Sequence, residues 1–184
     1  ARTNHNPDIY LPMEEIKRIQ VALRPHLPWH GARLALLALF LVALFRSQTV
    51  NLDKLASVFA NRAKSESNHK RLTRFFRGFD IDLDTIARTV ASWSQIPQPW
   101  TLSLDRTNWS LGRVHFNVLM LGIVHEGIAF PLMWTMLDKQ GNSNSDERMD
   151  LLERFEKVFP NAQIQCLTAD REFIGKEWCS FLLM

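Results

Sequence analysis

The sequence predicts an α/β chain in two parts: an all-helical region over residues 1–96 and a mixed strand-and-helix region over residues 97–184. Three observations carry this. Apolar residues recur at helical spacing through the first part. The segment Ile96-Pro97-Gln98-Pro99-Trp100 is stiff and resists helix, so it marks a boundary. Beyond it the apolar runs become short, β-branched and aromatic, with turn residues between them.

In the first part, Pro12 suits a first helical position and Glu14 and Glu15 suit a helix N-terminus. Met13, Ile16, Ile19 and Leu23 follow at helical spacing, and Pro25 and Pro28 close that helix. An apolar helix is expected from about Ala32 to Phe45. Asn51 is an N-cap for a short helix through Phe59, Ser65 for another through Arg77, and Asp82 for one ending near Trp93.

In the second part, Thr101–Asp105 is a short strand, and Val114–Val124 and Ile128–Leu137 are two more, joined by a His125-Glu126-Gly127 turn. Ser143 with Asp146 resembles a capping box for a helix with Met149, Leu152, Phe155 and Phe159 on one face. Ile164–Asp170 is a fourth strand, and Gly175–Met184 begins a further helix. The order β-β-β-α-β-α fits the start of a ribonuclease H-like sheet, in which the first and fourth strands are neighbours. The ends of those strands would then bring Asp105 and Asp170 together.

Composition narrows the function. With 46% hydrophobic and 22% charged residues the chain is of ordinary globular type. Its longest apolar run, Leu34–Phe45, is twelve residues, short of the about 20 that a bilayer demands. No secretory signal pattern is present, and Cys166 and Cys179 fit neither a disulfide framework nor a metal spacing, so a reducing cytoplasm is expected, with no membrane partner. The net charge of +3 is unevenly spread: residues 1–100 carry +6 and residues 101–184 carry −3. A basic half suits a polyanion and an acidic half suits cations.

The chemistry-bearing pattern is a pair of aspartates, each at the end of an apolar strand and each followed by arginine: Leu102-Ser103-Leu104-Asp105-Arg106 and Leu167-Thr168-Ala169-Asp170-Arg171. A carboxylate at the edge of a core needs a cation or a hydrogen-bond network to offset its desolvation. Mg²⁺ and Mn²⁺ take oxygen ligands, and a pair of such ions about 4 Å apart activates an attacking oxygen and stabilises a leaving one in phosphodiester chemistry. The alternative is that each aspartate caps the turn after it.

Five ordered blocks resemble the catalytic core of DDE transposases, with the insertion-sequence-four family of bacterial mobile elements as the nearest match. They are Leu102 to Trp109, Val118 to Val124, Pro131 to Leu137, Lys139 to Asn144, and Leu167 to Gly175. The resemblance covers most of the chain and is strongest over 101–178. It implies a ribonuclease H-like catalytic domain, incomplete at its C-terminal end, and an N-terminal helical domain that binds double-stranded DNA at the terminal inverted repeats. It further implies Mg²⁺ or Mn²⁺ as cofactor, held by Asp105 and Asp170, a bacterial cytoplasmic, nucleoid-associated location, and possible homodimerisation to join two DNA ends. In cut-and-paste transposition water attacks the phosphodiester and the freed 3′-hydroxyl attacks a second strand. The family's third carboxylate, a glutamate in a later Tyr-x-x-Arg-x-x-x-Glu signature, matches no residue here, and Glu172 does not stand in the matching place. A catalytically inactive DNA-binding remnant or inhibitor is therefore a second expectation, and a nuclease unrelated to transposition a third.

The DNA-binding candidates lie mainly at 61–77, where Arg62, Lys64, Lys70, Arg71, Arg74 and Arg77 face one acid, Glu66. Leu72, Phe75, Phe76 and Phe79 follow i, i+3, i+4, i+7 and should face a core, leaving Lys70, Arg74 and Arg77 on another face. The alternative is a solvated charged face. Asn68 and His69 are candidates for base edges. Arg106 and Arg171 either bind phosphate or pair with carboxylates. Trp134 is a candidate for stacking on an unpaired base, against a core role; Trp109 and Trp178 carry the same two options.

Overall fold

The computed structural model describes residues 13–183, with the side chains of Met13 and Leu111 left out. The chain divides into two compact units, Ala1–Ile81 and Asp82–Met184. Their net charges, +7 and −4, keep the asymmetry of the sequence.

The first unit holds α1 (Met13–Leu23), α2 (Gly31–Ser47), α3 (Leu52–Ser57) and α4 (Ser65–Gly78). Pro12 and its expected helix-starting role lie outside the described residues. α2 is the apolar helix. It begins after His30, whose Nδ1 accepts the Ala32 N–H, and it buries Leu34, Leu36, Ala38, Leu39, Val42 and Ala43. Among the described residues no helix is long and apolar enough to cross a membrane. Asn51 caps α3 as expected, its Oδ1 accepting from the Asp53 and Lys54 N–H groups at 3.0 and 3.1 Å. α3 stops at Ser57, so Phe59 lies past its end. α4 begins one residue earlier in the cap sense than the sequence suggests: Lys64 is the extended cap residue, without a side-chain bond, and Ser65 is already helical.

Leu72 and Phe75 of α4 join Leu55 and Ala56 of α3, Ile16 of α1 and the buried face of α2 in one core. Phe76 departs from the expected pattern. It is 46% exposed, because the core contact of α4 centres on Asn68, Leu72 and Phe75, a stripe that leaves Phe76 at its margin against Phe40.

The second unit holds α5 (Leu83–Ser94), β1 (Trp100–Leu111), β2 (Val114–His125), β3 (Ile128–Met136), α6 (Ser145–Val158), β4 (Ile164–Ala169) and α7 (Lys176–Leu182). α5 belongs here, ahead of the boundary expected at 96/97. Ala87 is buried in the core of the sheet, and Asp84 holds Arg154 of α6 at 2.6 and 2.7 Å. Asp82 caps α5 as the sequence predicts. The protein is thus a mixed α/β chain with seven helices and a four-stranded mixed sheet among the described residues.

The sheet order is β3-β2-β1-β4, with β1 antiparallel to β2, β2 antiparallel to β3, and β4 parallel to β1. β1 is far longer than the Thr101–Asp105 strand expected, because its pairing with β2 runs on from Asp105↔Met120 to Leu111↔Val114. The polar run Asp105-Arg-Thr-Asn hid this continuation, since such residues are depleted in strands. Glu126 and Gly127 form the two-residue β2–β3 turn, both at positive φ (50° and 78°), as a type I′ hairpin requires.

Trp100, Leu102 and Leu104 of β1 share one face with Ile123, Leu121 and Leu119 of β2, and α6 adds Leu151, Leu152, Phe155 and Val158 to the same core. The capping box of α6 is built by Asn144 and Glu147, not by Ser143 and Asp146. Asn144 Oδ1 accepts the Glu147 N–H at 2.9 Å, and Glu147 Oε2 accepts the Asn144 N–H at 2.8 Å.

At Gly122 the β2–β3 register shifts, and a Cβ there would meet the Phe130 carbonyl oxygen at 2.8 Å. Backbone cannot yield as a flexible side chain can. Gly122→Ala is expected to destabilise the second unit by about 1–3 kcal/mol, read as a lower urea midpoint with an unchanged slope.

Candidate functional site

The parallel register of β1 and β4 sets up the site. Leu102 pairs with Leu167, Ser103 with Thr168, and Leu104 with Ala169. Asp105 and Asp170 are the residues that directly follow the last paired residues, Leu104 and Ala169. By strand alternation Asp105 shares its face with Thr101 and Ser103, opposite the buried Leu102 and Leu104.

The two aspartates have the same local geometry. Asp105 Oδ1 accepts the N–H of Arg106 at 2.7 Å, and Asp170 Oδ1 accepts the N–H of Arg171 at 2.6 Å. Both residues are exposed, and among the described residues nothing hydrogen-bonds the second oxygen of either. Asp105 does not end its strand, as the sequence suggested; it marks the point where β1 loses its parallel partner.

The arginines after the aspartates differ. The Arg171 side chain is exposed, with no ion pair among the described residues. The side chain of Arg106 is 11% exposed and fully engaged. Its Nε donates to Glu172 Oε1 at 3.0 Å and its Nη2 to Glu172 Oε2 at 3.3 Å, while Nη1 and Nη2 reach the Oδ1 atoms of Asn117 (3.3 Å) and Asn142 (3.1 Å). A guanidinium held this way pairs with a carboxylate and has little left for a phosphate. Asn117, itself buried, donates to the Lys139 and Gly141 carbonyls at 2.9 Å and so fixes the 139–142 loop to β2.

A second arginine supports the same turn from below. Arg148 of α6 is buried, donates from Nε to Ser143 Oγ at 2.9 Å and from Nη2 to the Ser143 and Glu172 carbonyls, and stacks over Phe173 at 4.9 Å. Burial lowers its pKa, and the charges of Glu172 and Glu147 work in the opposite direction. Sequence reasoning missed Arg148 and Asn117, although each interrupts an apolar pattern. Arg148 occupies the first place of the stripe 148, 151, 152, 155, and Asn117 stands before Val118 and Leu119.

Glu147 has a pKa below its ordinary 4.5. Burial opposes ionisation, but Lys139 Nζ at 2.8 Å, the Asn144 N–H and the charge of Arg148 outweigh it. A lowered carboxylate pKa contributes stability above the unfolded value and loses it as pH falls through the folded value. Wild type is therefore expected to melt above Glu147→Gln at pH 6, with the difference shrinking as pH falls below about 4.5. Paired thermal melts from pH 6 to pH 3 check this.

Trp134 lies in the row Asp105–Met120–Trp134, one residue from each of three neighbouring strands, and is half-buried. It thus shares the face of Asp105 about 10 Å away, two strand spacings. Trp109 is 52% exposed and stacks on Phe116 at 5.4 Å, whereas Trp178 is in the core.

Two adjacent carboxylates with hard oxygen donors suit Mg²⁺ or Mn²⁺ as part of a ligand set. Among the described residues no third His, Cys, Asp or Glu completes a metal-binding group. Glu172, close in sequence, is turned onto Arg106.

In the first unit, Lys70, Arg74 and Arg77 are exposed at i, i+4 and i+7 on α4, opposite the buried Asn68, Leu72 and Phe75. Arg62 and Lys64 are exposed in the turn before the helix, and Arg71 is half-buried. None of these six cations is ion-paired among the described residues. Asn68 does not face solvent as a base-reading residue must. It is 1% exposed and forms a reciprocal amide pair with Asn61 at 3.0 and 3.1 Å, locking the turn to α4. His69 reaches Asp53 of α3 at 3.5 Å.

Comparison with protein-family models, with characterised proteins and with solved structures finds no match to this chain.

Proposed function

We propose that the chain is the DNA-binding and metal-holding part of a DDE transposase of the insertion-sequence-four type, with a ribonuclease H-like sheet. One observation supports this: the parallel β1–β4 register ends at Leu104↔Ala169, the residues directly before Asp105 and Asp170. The strand order β3-β2-β1-β4, with only β4 parallel to β1, fits the same expectation.

The division of labour follows the charge. Lys70, Arg74 and Arg77, with Arg62, Lys64 and Arg71 beside them, offer the first unit's cations to the phosphates of double-stranded DNA, the terminal inverted repeats of a mobile element. Asp105 and Asp170 would hold Mg²⁺ or Mn²⁺; one oxygen of each is already fixed by the next residue's N–H. Such an ion, when bound, would supply the positive charge that phosphodiester cleavage and 3′-hydroxyl attack require. Arg171 is free to meet a phosphate near the carboxylates. Trp134, on the same sheet face, offers a surface for an unpaired base. Arg106 is reassigned from phosphate contact to the support of the site. A ligand set of this type is completed by a third carboxylate, and two copies acting together would join two DNA ends.

The absence of a third acidic ligand among the described residues favours one other reading, a DNA-binding protein without catalysis that occupies element ends.

The test is nicking of supercoiled plasmid by the protein in Mg²⁺ or Mn²⁺. Nicked circles with wild type and none with Asp105→Asn are expected. Normal nicking by Asp105→Asn would overturn the assignment, and tight duplex binding without nicking by wild type selects the non-catalytic reading.

A further inference from the structure

We propose that the Arg106–Glu172 ion pair is a positioning clamp that fixes the separation of Asp105 and Asp170, and so sets their affinity for a divalent cation; this rests on the metal-site reading above. The parallel ladder ends at Leu104↔Ala169, the residues directly before the two aspartates. Beyond that pair no backbone hydrogen bond joins β1 to the 170–173 turn among the described residues. The connection there is the side-chain pair Arg106–Glu172, one residue past Asp105 and two past Asp170.

The pair is built for rigidity. The Arg106 fork meets both Glu172 oxygens, a two-point geometry that restrains angle as well as distance. The side chains are 11% and 23% exposed, so solvent screens them little. Each partner is braced from behind. Asn117 and Asn142 hold the guanidinium, and Arg148 holds the Glu172 carbonyl while packing over Phe173. The clamp therefore ties together β1, β2, the 139–142 loop, α6 and the 170–173 turn. Both Glu172 oxygens are spent on Arg106, which makes Glu172 a support for the site and not a ligand in it.

The experiment is Mn²⁺ titration of the 184-residue chain, read by the electron paramagnetic resonance signal of free Mn²⁺, with circular dichroism as the check on folding. Arg106→Lys and Glu172→Asp keep the net charge and lose the two-point geometry. Each is expected to weaken Mn²⁺ binding by about 10-fold or more, the usual effect of removing an outer-sphere partner, while Asp105→Asn abolishes it. Wild-type affinity in Arg106→Lys and Glu172→Asp, with loss in Asp105→Asn, overturns the clamp and leaves the metal site standing. Tighter binding in Arg106→Lys overturns it too, since Glu172 would then be a ligand released by the change. No Mn²⁺ binding by wild type fells both the metal site and the clamp. Should either variant fail to fold, Asn142→Ala removes one guanidinium partner at an exposed position and is expected to weaken Mn²⁺ binding about 2- to 5-fold; unchanged affinity there overturns the clamp.

Discussion

Asp105→Asn and Asp170→Asn are each expected to abolish divalent-cation binding and DNA cleavage while leaving the protein folded. Asparagine keeps the shape of the side chain and can still accept the neighbouring N–H through its Oδ1, so the turn geometry at 105–106 and 170–171 survives. What is lost is the charge, and a neutral amide is a poor ligand for a hard dication. Both carboxylates are exposed and neither is ion-paired among the described residues, so neither charge holds the fold together. Removing one charge should leave thermal stability unchanged. Loss of metal binding without loss of stability separates a binding site from a structural role. Had each aspartate served only to cap its turn, replacement would leave cation binding untouched. Isothermal titration with Mn²⁺ and thermal melts in the presence of a chelator read the two effects on the same samples.

The second large effect is expected from the combined change Lys70→Ala, Arg74→Ala and Arg77→Ala. The three side chains are exposed and share one face of α4, across the helix from the core residues Leu72 and Phe75. Alanine favours helix, so α4 should persist. If each cation meets one phosphate, the slope of log affinity against log salt becomes shallower by about 3, close to 0.9 per contact. Duplex affinity near 0.1 M salt then falls roughly 100-fold. Fluorescence anisotropy with a labelled duplex over a salt series gives both numbers. A fall of less than about threefold with an unchanged slope would mean that this face is merely solvated.

Much of the fold was legible because local signals and packing agreed. The spacing of Leu34 to Phe45, the Asn51 and Asp82 caps and the Glu126-Gly127 turn each rest on chemistry contained within a few residues, and each appears in the structure near its expected place. What sequence could not convey was long-range pairing. β1 continues through Asp105-Arg106-Thr107-Asn108 because β2 supplies partners for it, and nothing in that polar run announces them. α5 goes with the sheet because Ala87 finds room in that core, whereas the prolines at 97 and 99 suggested a later division. The caps at Ser65 and Ser143 were displaced by one residue because an adjacent Lys64 or Asn144 takes the cap position.

The candidate site shows the same division. The apolar-run–Asp–Arg pattern points to Asp105 and Asp170, and the parallel register runs up to the residue before each of them. The role of Arg106 was not legible, since its partner Glu172 stands 66 residues away. Asn68 was misread because a polar residue on a basic helix suggests solvent, while here its amide pairs with Asn61 in the interior. Trp134 suits a core or a stacking surface by sequence, and the row from Asp105 through Met120 gives it a half-buried place on the face of Asp105.

The most direct test of the account asks whether Asp105 and Asp170 act as one cation site. Backbone amide signals of the ¹⁵N-labelled protein, followed during titration with substoichiometric Mn²⁺, report every residue near the paramagnetic ion. The account predicts that the amides around Asp105–Arg106 and Asp170–Arg171 broaden first and together, at the same Mn²⁺ concentration, and that Asp105→Asn protects both segments. Broadening of one segment without the other, or first broadening elsewhere in the chain, would contradict it.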